Sequence, residues 1–179
     1  MPNWVFNGLT IEGKPEEVNK LVEQMNKPFK VLHDKFDMET KEYRKGYTLY
    51  SAPVFAFHNI YNYLEAGITE EEYNQQPARS ELDVNDKGWW EDTERLRRLD
   101  KSWYSWNITN WGVKWDIAVS DREEYPDTEL ITDTKDTLVY RFNTAWSPPI
   151  PAIQKLSEQY PECEITLSYE EETGWVGLS

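Results

Sequence analysis

One cysteine, Cys163, is all that the 179 residues contain. An internal disulfide is therefore excluded, as is an iron–sulfur cluster held by thiolates, and the usage fits a reducing cytoplasm. Histidine is nearly as scarce: His33 and His58 stand far apart, with nothing at metal-ligand spacing beside them. No apolar run approaches 18 residues, so no membrane-spanning helix is expected, and the opening "MPNWVFNG" lacks the basic head of a secretory signal. A soluble cytoplasmic protein is the expectation. Catalytic signatures are missing as well: no HExxH, CxxC or GxSxG, no phosphate loop and no dinucleotide glycine fingerprint. Repeats, low-complexity tracts and coiled-coil heptads are absent too.

Positive charge is in short supply. Nineteen Lys and Arg face 33 Asp and Glu, a formal net charge of −14 at pH 7. The imbalance is uneven: residues 116–179 carry 14 acidic and 4 basic side chains, against 19 and 15 in residues 1–115. A field of that sign repels phosphate backbones and attracts cationic proteins, so direct nucleic-acid binding through the C-terminal half is not expected. Solubility alone would also account for it. Aromatics, in contrast, are plentiful, with 9 Trp, 11 Tyr and 6 Phe. Disordered chains are poor in aromatics and a chain of this length can bury a core, so one folded domain over 1–179 is expected.

Hydrophobic period places the elements. In "WVFNGLTIEG" Val5, Asn7, Leu9 and Ile11 alternate with Phe6, Gly8, Thr10 and Glu12, which is a strand. "KPEEVNKLVEQMNKP" then starts a helix with Pro15 at its first position and two acids in its first turn. Val18, Leu21, Val22 and Met25 form its apolar stripe and Pro28 stops it. The last third repeats the scheme. Residues 137–146 alternate as a strand, Ser147 is placed to cap a helix, and Ile150, Ile153, Leu156 and Tyr160 line that helix as far as Pro161. "CEITLSYE" alternates with Cys163, Ile165, Leu167 and Tyr169 inward, and "WVGL" after Gly174 can return as its hairpin partner.

The middle is less regular. "SAPVFAFHNIYNYLEAG" reads as a helix capped by Ser51, with Val54, Phe57, His58, Tyr61 and Leu64 on one face. "WWEDTERLRRLDKSWYSWN" puts Trp89, Leu96, Leu99, Trp103 and Trp106 at helical spacing, and "VKWDIAV" alternates as a strand. Residues 77–88 read as a mobile surface loop. In order this gives β–α, a mostly helical insertion, then β–β–α–β with a terminal hairpin. Two β–α–β halves joined antiparallel make an α+β, ferredoxin-like sandwich: an antiparallel sheet with helices on one face. Its core is expected over about 1–28 and 113–179, and the insertion over about 29–112.

Four stretches together carry a resemblance: "MPNW…N.L.I.G" at the start, "W..WNI.NWG.KWD" at 103–116, "F.TAWSPPIP.I..LS..YP" at 142–161, and "YEEE.GWVG" in the tail. The chain resembles the YubB ferredoxin-like family, Api-type proteins encoded by phages and conjugative plasmids. Val5 stands where relatives carry Cys. The resemblance implies the ferredoxin-like fold and a mobile-element origin, and it brings no activity, cofactor or catalytic residue.

Candidate chemistry is sparse. His58 falls on an apolar helix face, where a packed histidine is the expected role, and Cys163 faces inward, where thiols are inert. Glu170, Glu171 and Glu172 are consecutive on a strand and point to alternating sides. They cannot face one another across a sugar as a glycosidase pair does, and they read as a charged edge. "RLRR" at 95–98 is surrounded by Glu91, Asp92, Glu94 and Asp100 and reads as paired within a helix. The richest feature is aromatic: Trp103, Trp106, Trp111, Trp115 and Trp146, interleaved with Asn107, Asn110, Lys114 and Asp116. It reads as a heavy core, as a partner-gripping face, or as a pocket for a nucleobase.

The resulting expectation is a non-enzymatic accessory protein that binds a host or mobile-element protein with a basic surface, in one version as a mimic of nucleic acid against a defence or replication protein. A homodimer is a further option, and no membrane or cofactor is expected. Candidate binding residues are Trp103, Trp106, Asn107, Asn110, Trp111, Lys114, Trp115 and Trp146. Candidate acidic-surface residues are Glu123, Glu124, Glu170, Glu171 and Glu172. A small-ligand module built on the tryptophans is the alternative, and an unrecognised enzyme the third reading.

Overall fold

The computed structural model describes residues 3–62, 103–118, 128–172, 174 and 176–178. In chain order these form β1 (Trp4–Glu12), α1 (Pro15–Met25), β2 (Phe29–Asp37), β3 (Glu42–Tyr50), a short 3-10 turn (Phe57–Asn59), α2 (Trp103–Trp111), β4 (Glu129–Asp133), β5 (Thr137–Ala145), α3 (Ile150–Gln159), β6 (Glu164–Glu171) and β7 (Val176–Leu178). The loop at 77–88 and the "RLRR" segment lie outside the described residues.

Five strands build the main sheet in the order β4-β5-β1-β6-β7, every neighbour antiparallel. With α1 between β1 and β4 in sequence and α3 between β5 and β6, this is the ferredoxin-like arrangement, extended at one edge by β7. The alternation seen in sequence sets the faces. Val5, Asn7, Leu9 and Ile11 of β1 are all buried, as are Leu138, Tyr140, Phe142 and Thr144 of β5. Their neighbours Phe6, Glu12, Arg141 and Glu170 are exposed on the opposite side. Helix α1 opens on Pro15, whose missing N–H costs nothing in a first turn, and packs Val18, Leu21 and Met25 onto the buried face; α3 adds Ala152, Ile153 and Leu156. The other face carries no helix among the described residues.

Residues 29–50, within the expected insertion, form a two-stranded hairpin, β2–β3. Its strands have no clean apolar face, which is why alternation did not disclose them. Asp37 makes the turn: its Oδ1 accepts the N–H groups of Glu39 and Thr40, and Lys41 follows at φ 57°. At its base Phe29 stacks on Tyr50 with centroids 4.6 Å apart and on His58 at 4.1 Å, so three near-parallel rings moor the hairpin to the body.

Three local expectations are corrected. Residues 51–62 are not a helix but an irregular strap with one 3-10 turn, Phe57–Asn59. Phe55, Ala56 and Phe57 are consecutively and fully buried, which no helix face permits, and the N–H groups of Phe57 and His58 bond to Asp116 rather than along a helix. "VKWDIAV" is not a strand over 113–118 either. Asp116 turns its own carboxylate onto the N–H groups of Ile117 and Ala118, which competes with any ladder. The strand that precedes β5 is instead Glu129–Asp133.

Third, Ser147 does not cap α3. Its Oγ donates to the Gly112 carbonyl at 2.6 Å, and Pro149 holds the cap position. The opening of α3 is thereby tied to the end of α2. Gly112 fits there because its φ is +79° and any Cβ would meet Pro151 Cδ at 2.6 Å. Glutamine and asparagine amides complete the packing of the strap. Gln24 donates to the Asn59 carbonyl, Gln159 to that of Ile60, and Asn59 to that of Met25, so α1 and α3 hold residues 59–60 between them.

Candidate functional site

A cleft of about 430 Å³ opens where the base of the hairpin meets the ends of β1 and β5. The loop after α2 forms its floor. Helix α2 ends at Trp111, Gly112 reverses the chain with its N–H on the Ile108 carbonyl, and Val113 inserts into the core. Asn107 then reaches across, its Nδ2 donating to the Lys114 carbonyl at 2.9 Å, which fixes the loop on the helix it has just left. Lys114 and Trp115 point outward as a pair, with the ammonium 4.6 Å above the indole. Trp4 and Asn143 complete the strand side and Val31 and Tyr50 the hairpin side.

Asp116 anchors this floor. Its carboxylate accepts four backbone N–H groups, from Phe57 at 2.8 Å, His58 at 2.9 Å, Ile117 at 2.7 Å and Ala118 at 3.3 Å. Burial pushes the carboxyl above the usual carboxylate range, and the four donors pull against it. With its lone pairs committed to the backbone, Asp116 serves as a clasp between the strap and the floor. His58 is held neutral, burial lowering its pKa to about 4. Burial also raises the Tyr140 hydroxyl, with the Asp133 charge acting in the same direction. Cys163 is a buried free thiol that burial pushes upward. Among the described residues no group of His, Cys, Asp and Glu is arranged to hold a metal ion.

The tryptophan cluster of the sequence divides. Trp106 and Trp111 belong to the core, edge to face at 5.7 Å, and the Trp111 indole N–H donates to the Tyr61 carbonyl. Asn110 spends its amide on the Trp106 carbonyl within α2 and does not reach the cleft. Asn107, Trp111, Lys114 and Trp115 do line it. Trp146 is 59% exposed at φ +73° but stands apart from the cleft, its N–H on the Asn3 carbonyl. The side chain of Trp103 lies outside the described residues.

The glutamates divide as well. Glu170 stands on the helix-free face opposite Phe6, Glu171 is the register partner of core-facing Val5, and the Glu172 carboxylate accepts the Trp4 N–H at 3.3 Å. They do not form an edge, because β7 covers β6. Glu123 and Glu124 lie outside the described residues.

The helix-free face has its own shallow groove, about 640 Å³, between Phe6, Gly8, Arg141, Ser168 and Val176. A Cβ at Gly8 would come within 2.8 Å of Ser168 Oγ, so the glycine keeps this groove open. Sequence reasoning missed Trp4, Tyr50 and Asn143 in the cleft and Phe6 on the open face. Only Phe6 left a signal, as a large apolar residue on the outward register of β1.

Residues 114–178 match the family model of the ferredoxin-like domain in Api92-like protein. The matched stretch takes in most of the cleft floor and β4 to β7; β1 and α1, which complete the fold, precede it. No curated protein and no solved structure matches the chain. No helix among the described residues is long and apolar enough to cross a membrane.

Proposed function

We propose that the chain is a non-enzymatic binding protein, encoded by a phage or plasmid, whose helix-free sheet face docks a cationic surface on a host or mobile-element protein. The observation that carries the reading is the make-up of that face. Phe6, Val176 and Leu178 stand exposed, at 50%, 73% and 76%, among Glu12, Glu129, Glu164 and Glu170. Exposed apolar anchors beside charged groups give an interface grip and specificity, and an acidic field speeds encounter with a basic partner.

Glu12 and Glu164 strengthen the argument. They are direct partners in the β1–β6 register, and like charges so placed destabilise a sheet. A cationic partner relieves that repulsion. A second copy of the chain would add to it, which argues against a homodimer through this face. A groove that ordinarily holds a phosphate backbone, on a defence or replication protein, is the kind of surface that fits.

The test compares wild type with a Glu12→Lys/Glu164→Lys/Glu170→Lys variant as affinity baits in host lysate at low and high salt. A basic protein should be retained by wild type at low salt, released at high salt, and lost from the triple variant. Reversal of Glu158, on the helix side, should leave it bound. Equal retention by wild type and the triple variant would falsify the reading.

A further inference from the structure

The geometry points to a second site, which meets the sheet-face groove at Asn143: the cleft beside Trp115 takes an uncharged nucleobase, free or as a nucleoside. Its volume, about 430 Å³, falls within the roughly 300–1,000 Å³ of small-molecule sites. Its walls are aromatic, with Trp115 47% exposed and Trp111 closing the base. Most polar groups nearby are already committed: the Trp111 indole to Tyr61, Asn107 Nδ2 to Lys114, Thr144 Oγ1 to Asn7 and Ser147. Three are not. The indole N–H groups of Trp4 and Trp115 and the side-chain amide of Asn143 make no hydrogen bond among the described residues.

Two ring-edge donors and a carboxamide, which both donates and accepts, suit a planar heterocycle carrying carbonyl and ring-nitrogen acceptors. Exposed indole offers that ring a face to stack on, as aromatic platforms do for bases in general. The charge argues for the neutral form. The chain bears −14, so a phosphate meets an unfavourable field. The same field disfavours a base presented within a polynucleotide.

The experiment titrates uridine, cytidine, adenosine and guanosine, their monophosphates and a short single-stranded oligonucleotide into the full chain, following the indole N–H resonances of Trp4 and Trp115. At least one nucleoside should shift both resonances saturably, and more tightly than its monophosphate or the oligonucleotide. Trp115→Ala should weaken binding tenfold or more and Asn143→Ala several-fold, while Trp146→Ala leaves it unchanged. Trp115→Phe, which keeps a ring and removes the donor, should lie between and guards against a folding defect. The proposal is overturned if no nucleoside moves either resonance, if monophosphates or the oligonucleotide bind more tightly, or if Trp146→Ala weakens binding as much as Trp115→Ala. The outcome is separable from partner docking, because the sheet-face glutamates take no part in it.

Discussion

Asp116 Oδ1 accepts the backbone N–H of Phe57 at 2.8 Å, although 59 positions separate the two residues. With the bonds to His58, Ile117 and Ala118 it makes one carboxylate the joint between the strap and the cleft floor. Asp116→Ala strands four donors, in positions where each orphaned group costs about 1–3 kcal/mol. Partial rehydration brings the expected loss to at least about 3 kcal/mol, read from the urea midpoint. Glu158→Ala, on the surface of α3, should stay within about 0.5 kcal/mol. A loss below about 1 kcal/mol for Asp116→Ala would show that the clasp is dispensable.

His58 sets a pH dependence with a definite sign. Burial against Phe29 lowers its pKa from 6.5 to about 4. Between those values the unfolded chain holds a proton that the folded chain refuses, so this contribution is complete above pH 6.5 and declines as pH falls toward 4. The full effect is at most about 3 kcal/mol. Asp116, whose carboxyl is raised, works in the opposite sense at acid pH. The comparison is therefore with His58→Phe, which keeps the stacking ring. Denaturant midpoints at pH 7 and pH 5 should diverge more for wild type than for this variant, and identical pH slopes would refute the assignment.

Glu164 separates stability from binding. It lies directly across from Glu12, so Glu164→Lys replaces a repulsive pair by an attractive one and should stabilise the fold by about 0.5 kcal/mol. The same substitution should weaken retention of the cationic partner. A variant that loses both stability and binding would indicate that the residue is structural.

The frame was legible in the sequence wherever one periodicity prevailed. β1, α1, β5, α3 and β6 each showed a buried register or stripe, and β7 followed from Gly174 and the alternation before it. What escaped depends on contacts between distant residues. Val54, Phe57, His58 and Tyr61 mimic a helical stripe, yet a carboxylate at position 116 takes the N–H groups on which such a helix depends. "VKWDIAV" mimics a strand for the same reason, since Val113 and Ile117 are buried by a loop while Trp115 between them stays exposed. The hairpin gave no signal because its strands carry no clean apolar face, and the ring stack that moors it joins three separate segments. The tryptophans stand out in the sequence as a group, but core and cleft are told apart only by the packing of Trp106 against Trp111 and the exposure of Trp115.

Position-specific cross-linking tests the docking face most directly. A photoreactive residue replaces Ser168, exposed at the centre of the helix-free face, or Gln154, exposed on α3, and each protein is irradiated in host lysate at low and high salt. The account predicts a salt-sensitive adduct at position 168, joined to a peptide rich in Lys and Arg, and none at position 154. An adduct only at 154, a self-adduct at 168, or no adduct at 168 would contradict it.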